Sequence, residues 1–256
     1  MNLGGRSVLR HVDFELRGGE FAGLIGANGS GKTTLLRAVL GILAPASGTV
    51  ERFSGPRSSV GYVPQKVTLD PGVPLRVRDL VALGVDGHRY GVRRHPRRVR
   101  ERVERVLDEL DAASIADRRV GELSGGQQQR ALIAHALAAE PSVLLLDEPL
   151  ANLDPGAVHE VVALLDGVVR RRGVAVLLSA HDMNPLLPVM DRLVYVANGQ
   201  VASGSVDEVI RPEILSQLYG SHVDVLRVHG RVLVVGGEGD RVQDYVERDH
   251  PPVVVE

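Results

Sequence analysis

Apolar positions along the chain fall into two kinds of segment. The first kind is short and apolar throughout: "FAGLIG" (residues 21–26), "SSVGYVPQ", "SVLLLDEP" and "GVAVLLSAHD". Runs of this length that end in glycine or at charged residues read as strands, and "SVLLLDEP" is too apolar for a sheet with one wet face. The second kind has a helical period. "TTLLRAVLGIL" places Leu35, Leu36, Val39, Leu40 and Leu43 on one face, and "AVHEVVALLDGVVRRR" reads as an amphipathic helix. Strands alternating with helices predict a mostly parallel sheet joined by crossover helices, an α/β fold. In "LVYVANGQVASG", Asn198-Gly199 between two strand-like runs predicts a hairpin.

The pattern changes over residues 67–122. Apolar strand runs give way to charged helical segments such as "RVRDLVALG" and "RRVRERVERVLDELDAA". A helical insertion at 67–122 is therefore expected within a core built from 1–66 and 123–220. After Gly220, "HVDVLRVHGRVLVVGG" predicts a small hairpin, so 221–256 reads as a hairpin extension and a tail.

Composition narrows the classes. A chain of 256 residues with net charge −2 suits one large domain or two small ones, and has no overall attraction to nucleic acid or anionic membranes. It has no cysteine, which removes disulfides and thiolate metal sites. No stretch approaches the ~18 apolar residues of a membrane span. The start, "MNLGGRSVLR", lacks the apolar core of a signal peptide. The expected location is the cytoplasm, with any membrane reached through a partner. The lysines are Lys32 and Lys66 alone, and Lys32 stands in a glycine-rich loop.

That loop is "GANGSGKTT", which fits G-x-x-x-x-G-K-[ST] with a strand before it and a helix after it. Gly26, Asn28, Gly29, Ser30, Gly31, Lys32, Thr33 and Thr34 form the candidate phosphate cradle. The glycines let backbone N–H groups turn inward, and the helix start adds roughly half a positive charge. Lys32 can reach β- and γ-phosphates, and the Thr33 hydroxyl can hold Mg2+. In "VLLLDEP", an acidic pair leaves a hydrophobic strand, which is costly unless a cation meets it. Asp147 is placed to orient Mg2+, and Glu148 to polarise a water for in-line attack on the γ-phosphate.

"ELSGGQQQR", residues 122–130, puts two glycines at the head of a long helix. Ser124 and Gln127 have the spacing of a capping box. That accounts for neither Gly125 nor Gly126, whose small size admits a second anion beside bare N–H groups. "LSGGQ" between a P-loop and "LLLDEP" resembles the ATP-binding subunit of ABC transporters, and the resemblance runs to about Gly220. It implies a P-loop NTPase of the RecA-like type with a small antiparallel β subdomain and an inserted helical subdomain. It implies ATP and Mg2+ as cofactors. Gln65 in "YVPQ" is similar to the family's Q-loop, which implies a catalytic, Mg2+-binding role. Asp154 in "ANLD" is similar to the D-loop, and His181 in "SAHD" to the switch histidine. The resemblance also implies a head-to-tail homodimer in the ATP-bound state. In it Leu123, Ser124, Gly125, Gly126 and Gln127 of one copy cap the γ-phosphate held by the other.

Further expectations follow from that likeness. Separate transmembrane permease subunits would receive the closing motion through Gln65 and the helical insertion. An extracellular substrate-binding protein would take part indirectly, and the chain would sit on the inner face of the membrane. "VPLRVRDLVALG", "HDMNPLLPVMDRLVYVANGQ" and "PEILSQLYGSHVDVLRV" resemble the group that imports manganese, zinc or iron. Iron–siderophore importers are the near alternative, and a non-transport ABC-type ATPase is the alternative of another class. One departure stands out: Leu3 occupies the place where the family's aromatic residue stacks on adenine, and the strand usually before it is not in the chain. Either the chain start is truncated or misassigned, or the base is held by apolar contact alone. The basic run over residues 88–105 lacks interleaved aromatics and reads as a solvated or partner-facing helix, with no nucleic-acid partner. His222, His229 and His250 show no metal-ligand spacing.

Overall fold

The computed structural model describes residues 1–3, 6–51, 60–65, 67, 72–87 and 97–236, with the side chains of 2, 3, 6 and 7 left aside. The expectations at the Leu3 side chain, at residues 88–96 and at the tail with His250 lie outside the described residues. In chain order, β1 (Asn2–Leu3) and β2 (Arg6–Ser7) form a short antiparallel pair. Then come β3 (Phe21–Ile25), α1 (Lys32–Leu40), β4 (Val60–Val63), α2 (Val77–Asp86) and α3 (Arg97–Glu109). After two 3-10 turns follow α4 (Gly125–Ala138), β5 (Val143–Leu146), α5 (Pro155–Arg172), β6 (Ala175–Ala180), β7 (Arg192–Ala197) and β8 (Gln200–Gly204). The short α6 (Val206–Val209), then α7 (Pro212–Tyr219) and the hairpin of β9 (Val223–Val228) and β10 (Arg231–Gly236) close the described chain.

The central sheet has six strands in the order β4-β5-β6-β3-β7-β8. All neighbours are parallel except β7 and β8. Every residue of β3, β5 and β6 is buried. Helices cover both faces, which is why these strands carry no polar alternation. On one face Leu35 and Leu36 of α1 pack with Leu24, Leu145, Leu177 and Val194. On the other, Ile133 and Leu137 of α4 and Leu165 and Val168 of α5 pack with Ile25, Leu144, Leu146 and Leu178. Asn198 and Gly199 both take positive φ, 49° and 74°, as the tight turn between β7 and β8 requires.

Register decides where the chemistry goes. Val63 lies opposite Leu146, Leu146 opposite Leu178, and Ile25 opposite Ala180. Four neighbouring parallel strands therefore end together. The segments that follow them, at Gln65, Asp147, His181 and Gly26, emerge along one rim of the sheet, where open α/β sheets place ligands.

The helical segment is tied back on itself. Val77 N donates to Arg118 O at 3.1 Å, and Val120 N donates to Leu75 O at 2.9 Å. α2 crosses α4 closely at Gly84, where a Cβ would overlap the carbonyl oxygen of His135. One turn back, His135 Nδ1–H donates to Leu80 O at 2.8 Å. Alanine normally favours a helix interior over glycine by about 1 kcal/mol. At this crossing the sign reverses: Gly84→Ala is expected to destabilise by about 1–3 kcal/mol through overpacking. Thermal unfolding of the variant checks this, and a raised midpoint would mean the helices do not meet at Gly84.

Candidate functional site

The glycine-rich loop runs from the end of β3 into α1. Gly26 is buried against β7, and a Cβ there would strike the Val196 carbonyl oxygen. Gly31 caps α1 with φ 112°, a conformation L side chains avoid, so the helix starts with its N–H groups facing the loop. Asn28 and Gly29 stand exposed at the tip, and Thr34 is half-buried in the first turn of α1. The Ser30 hydroxyl is buried and has no hydrogen-bond partner among the described residues.

Lys32 is 5% exposed. Its Nζ donates to Gly26 O at 2.7 Å and Ala27 O at 3.1 Å, and lies 3.4 Å from Glu148 Oε1. A buried ammonium needs such partners, and here it takes them from its own loop and from the end of β5. Thr33 Oγ1 donates to Asp147 Oδ1 at 3.3 Å. These two oxygens, one hydroxyl and one carboxylate, form a donor pair of the hard type that Mg2+ prefers.

Asp147 is 2% exposed, and its backbone N–H donates to Val63 O at 2.9 Å, locking the end of β5 to that of β4. Its neighbour Glu148 has φ 49°, the left-handed backbone that residues with a Cβ adopt only rarely. Gln65 Nε2 donates to Glu148 Oε2 at 2.6 Å. The Glu148 carboxylate is therefore held between Lys32 and Gln65. Burial pushes the Tyr62 phenol pKa up, and the neighbouring Asp147 carboxylate adds to the rise.

Lys32, Thr33, Asp147, Glu148 and Gln65 thus converge. His181 lies at the turn after β6, exposed, and its ring makes no hydrogen bond to a described residue. Residues 124–127 stand apart, with no hydrogen bond or ion pair to the loop among the described residues. There Ser124 Oγ accepts from Gln127 N at 3.4 Å, and Gln127 Oε1 accepts from Ser124 N at 3.2 Å, a complete capping box. Leu123 is buried, while Ser124 and Gly125 face outward. The glycines also serve their own chain: a Cβ on Gly125 would lie 3.4 Å from Leu153 Cδ2, and one on Gly126 3.3 Å from Ala157 Cβ. Asp154 caps α5, accepting from Ala157 N at 2.9 Å.

Sequence reasoning passes over two residues. Arg118 donates to Gln127 Oε1 at 3.1 Å and to Glu122 O at 2.8 Å, bracing the head of α4. Ser179 is fully buried and joins Asp147 to Glu148, donating to Asp147 Oδ1 at 2.9 Å and accepting from Glu148 N at 2.8 Å. Its signal in the sequence is faint: one hydroxyl inside the apolar run "AVLLSA".

Among the described residues no group of three or more His, Asp or Glu side chains could hold a metal by itself, and no helix is long and apolar enough to cross a membrane. The family model described as "ABC transporter" matches residues 9–151. The zinc import ATP-binding protein ZnuC of Pseudomonas fluorescens is 35% identical over 231 residues, spanning 90% of this chain and 83% of that protein. A metal transport system ATP-binding protein of Chlamydia trachomatis is 33% identical over 230 residues, 88% of each chain. A solved dimeric ATP-binding cassette in a post-hydrolysis state, bound to ADP and Pi, aligns at a TM-score of 0.64 with 27% identity, over 78% of this chain and 90% of that one.

Proposed function

This chain belongs to the ABC transporter family, and from that premise we propose that it powers metal-ion import by ATP-driven closure of a homodimer. It is an ABC-type ATPase. The observation that carries the rest is the convergence at the sheet rim. Lys32 and Glu148 lie 3.4 Å apart beside the loop, and Thr33 and Asp147 share a hydrogen bond of 3.3 Å.

In this reading the loop from Gly26 to Thr34 cradles the phosphates, with backbone N–H groups and the Ser30 hydroxyl as donors. Lys32 leaves the carbonyls of Gly26 and Ala27 to meet β- and γ-phosphate oxygens. Thr33 and Asp147, with Gln65 alongside, are the residues that would hold Mg2+, which when bound neutralises phosphate charge. Glu148, released from Lys32 by the arriving phosphate, accepts a proton from the attacking water. His181 contacts the γ-phosphate. Ser124, Gly125, Gly126 and Gln127 cap the γ-phosphate bound to the other copy, and Asp154 lies beside that junction.

The motion passes to a separate membrane subunit. Val67, Val73 and Leu83 are exposed along the stretch from Gln65 through α2, and offer apolar contact to a cytoplasmic helix of that subunit. The chain then sits on the inner membrane face, with an extracellular substrate-binding protein delivering the solute to the permease. Metal as the solute rests on the printed names of the zinc and metal relatives. No residue here selects it, since this subunit meets only nucleotide and protein.

Deleting the encoding gene is expected to lower cellular accumulation of zinc or manganese severalfold, with restoration by the intact gene and none by a Lys32→Ala version. Normal metal accumulation with lost ferric-siderophore uptake would replace this reading with the siderophore importer. Loss of neither would remove import altogether.

A further inference from the structure

We propose that Ser179 is a positioning residue for hydrolysis, whose hydroxyl sets the metal-orienting carboxylate and the proton-accepting glutamate as one unit. The inference rests on the reading of Asp147 and Glu148 given above. Its ground is the direction of two hydrogen bonds.

A backbone N–H can only donate, so the 2.8 Å contact between Glu148 N and Ser179 Oγ makes the hydroxyl an acceptor. Its single proton is then free for Asp147 Oδ1, 2.9 Å away, which as a carboxylate can only accept. No other arrangement of that proton satisfies both contacts. Ser179 is 0% exposed, so no water replaces either partner. Leaving a buried donor or acceptor unpaired is expensive, and the low local dielectric strengthens what is made.

Each end of this bridge has a consequence. At the Glu148 end, the anchored N–H belongs to a residue at φ 49°. Left-handed backbone is unfavourable for a residue with a Cβ and persists where its surroundings hold it. The Ser179 hydroxyl is one such hold, and that backbone aims the carboxylate at Lys32 and Gln65, with contacts of 3.4 Å and 2.6 Å. At the Asp147 end, Oδ1 receives two hydroxyls, Thr33 at 3.3 Å and Ser179 at 2.9 Å. Thr33 uses its proton for Asp147 and keeps its lone pairs for a cation, so it would hold Mg2+ and the carboxylate together. Ser179 fixes the same carboxylate oxygen from the β6 side. β6 supplies it because Leu178 lies opposite Leu146, one residue before Asp147.

Ser179→Ala keeps the size and deletes the bridge. Turnover per folded molecule is expected to fall about 10- to 100-fold, the range for removing a side chain that hydrogen-bonds a metal-ligating group. The Mg2+ concentration for half-maximal turnover is expected to rise severalfold. The dissociation constant for Mg2+-free ATP, set by the loop, stays within twofold and also reports that the variant is folded. A residue that merely fills space would leave the Mg2+ requirement where it was. Turnover within twofold of the parent, or a loss with an unmoved Mg2+ requirement, overturns the proposal. Glu148→Gln run alongside separates the failures. If it abolishes turnover while Ser179→Ala does nothing, only the bridge falls. If neither matters, the roles given to Asp147 and Glu148 fall with it.

Discussion

Glu148→Gln is expected to cut ATP turnover about a thousandfold and leave ATP binding intact, within the span of removing a general base. Glutamine has the same shape but cannot take a proton. It also carries no charge to pair with Lys32, which in the parent lies 3.4 Å from Glu148 Oε1. The loop geometry does not depend on that pair, because Lys32 Nζ also donates to Gly26 O and Ala27 O. Nucleotide should therefore bind at least as well as in the parent. ATP that is bound and not cleaved should hold two copies together, so the variant should elute as a dimer with ATP and as a monomer without it. Unchanged turnover would take Glu148 out of the reaction.

Ser124→Arg is expected to lower hydrolysis about a hundredfold or more while each monomer still binds nucleotide, as for loss of a donor aimed at the reacting phosphate. The effect cannot come from lost capping alone, which costs about 1 kcal/mol. Ser124 is exposed and has no hydrogen bond or ion pair to the loop of its own chain among the described residues. A large loss therefore has to arise on a second chain. Mixing gives the sharper readout. In a head-to-tail pair of Ser124→Arg with Glu148→Gln, one composite site carries both changes and the other carries neither. Activity should reappear on mixing two nearly inactive proteins, and parent activity should rise steeply with protein concentration. Additive inactivity in the mixture would rule out a shared site.

Much of the architecture can be read from local pattern. "FAGLI", "VLLL" and "AVLLSA" announce fully covered strands because they lack a polar face, and β3, β5 and β6 are buried along their whole length. Asn198-Gly199 announces its hairpin through backbone chemistry alone. At the candidate site, Lys32 and Thr33 are legible because the loop that carries them is continuous in sequence. Ser179 is not, because its meaning depends on β6 lying beside β5 in one register, a relation between residues 32 positions apart. The same holds for Gly84, whose need for a missing side chain comes from the carbonyl of His135 on another helix. Gly125 and Gly126 are a mixed case. Their smallness suggests room for a visiting ligand, yet the close approach of Leu153 and Ala157 also limits what can stand there.

Arg118 ties two distant stretches together. Its carbonyl receives Val77 N at the start of α2, while its guanidinium grips Gln127 and the Glu122 carbonyl at the head of α4. In the proposed dimer, a push delivered to the start of α2 would have a path through Arg118 to the face offered to the neighbouring copy, outside the strands. Such a path would keep force and chemistry on separate routes, leaving the rim of the sheet still while the helices moved.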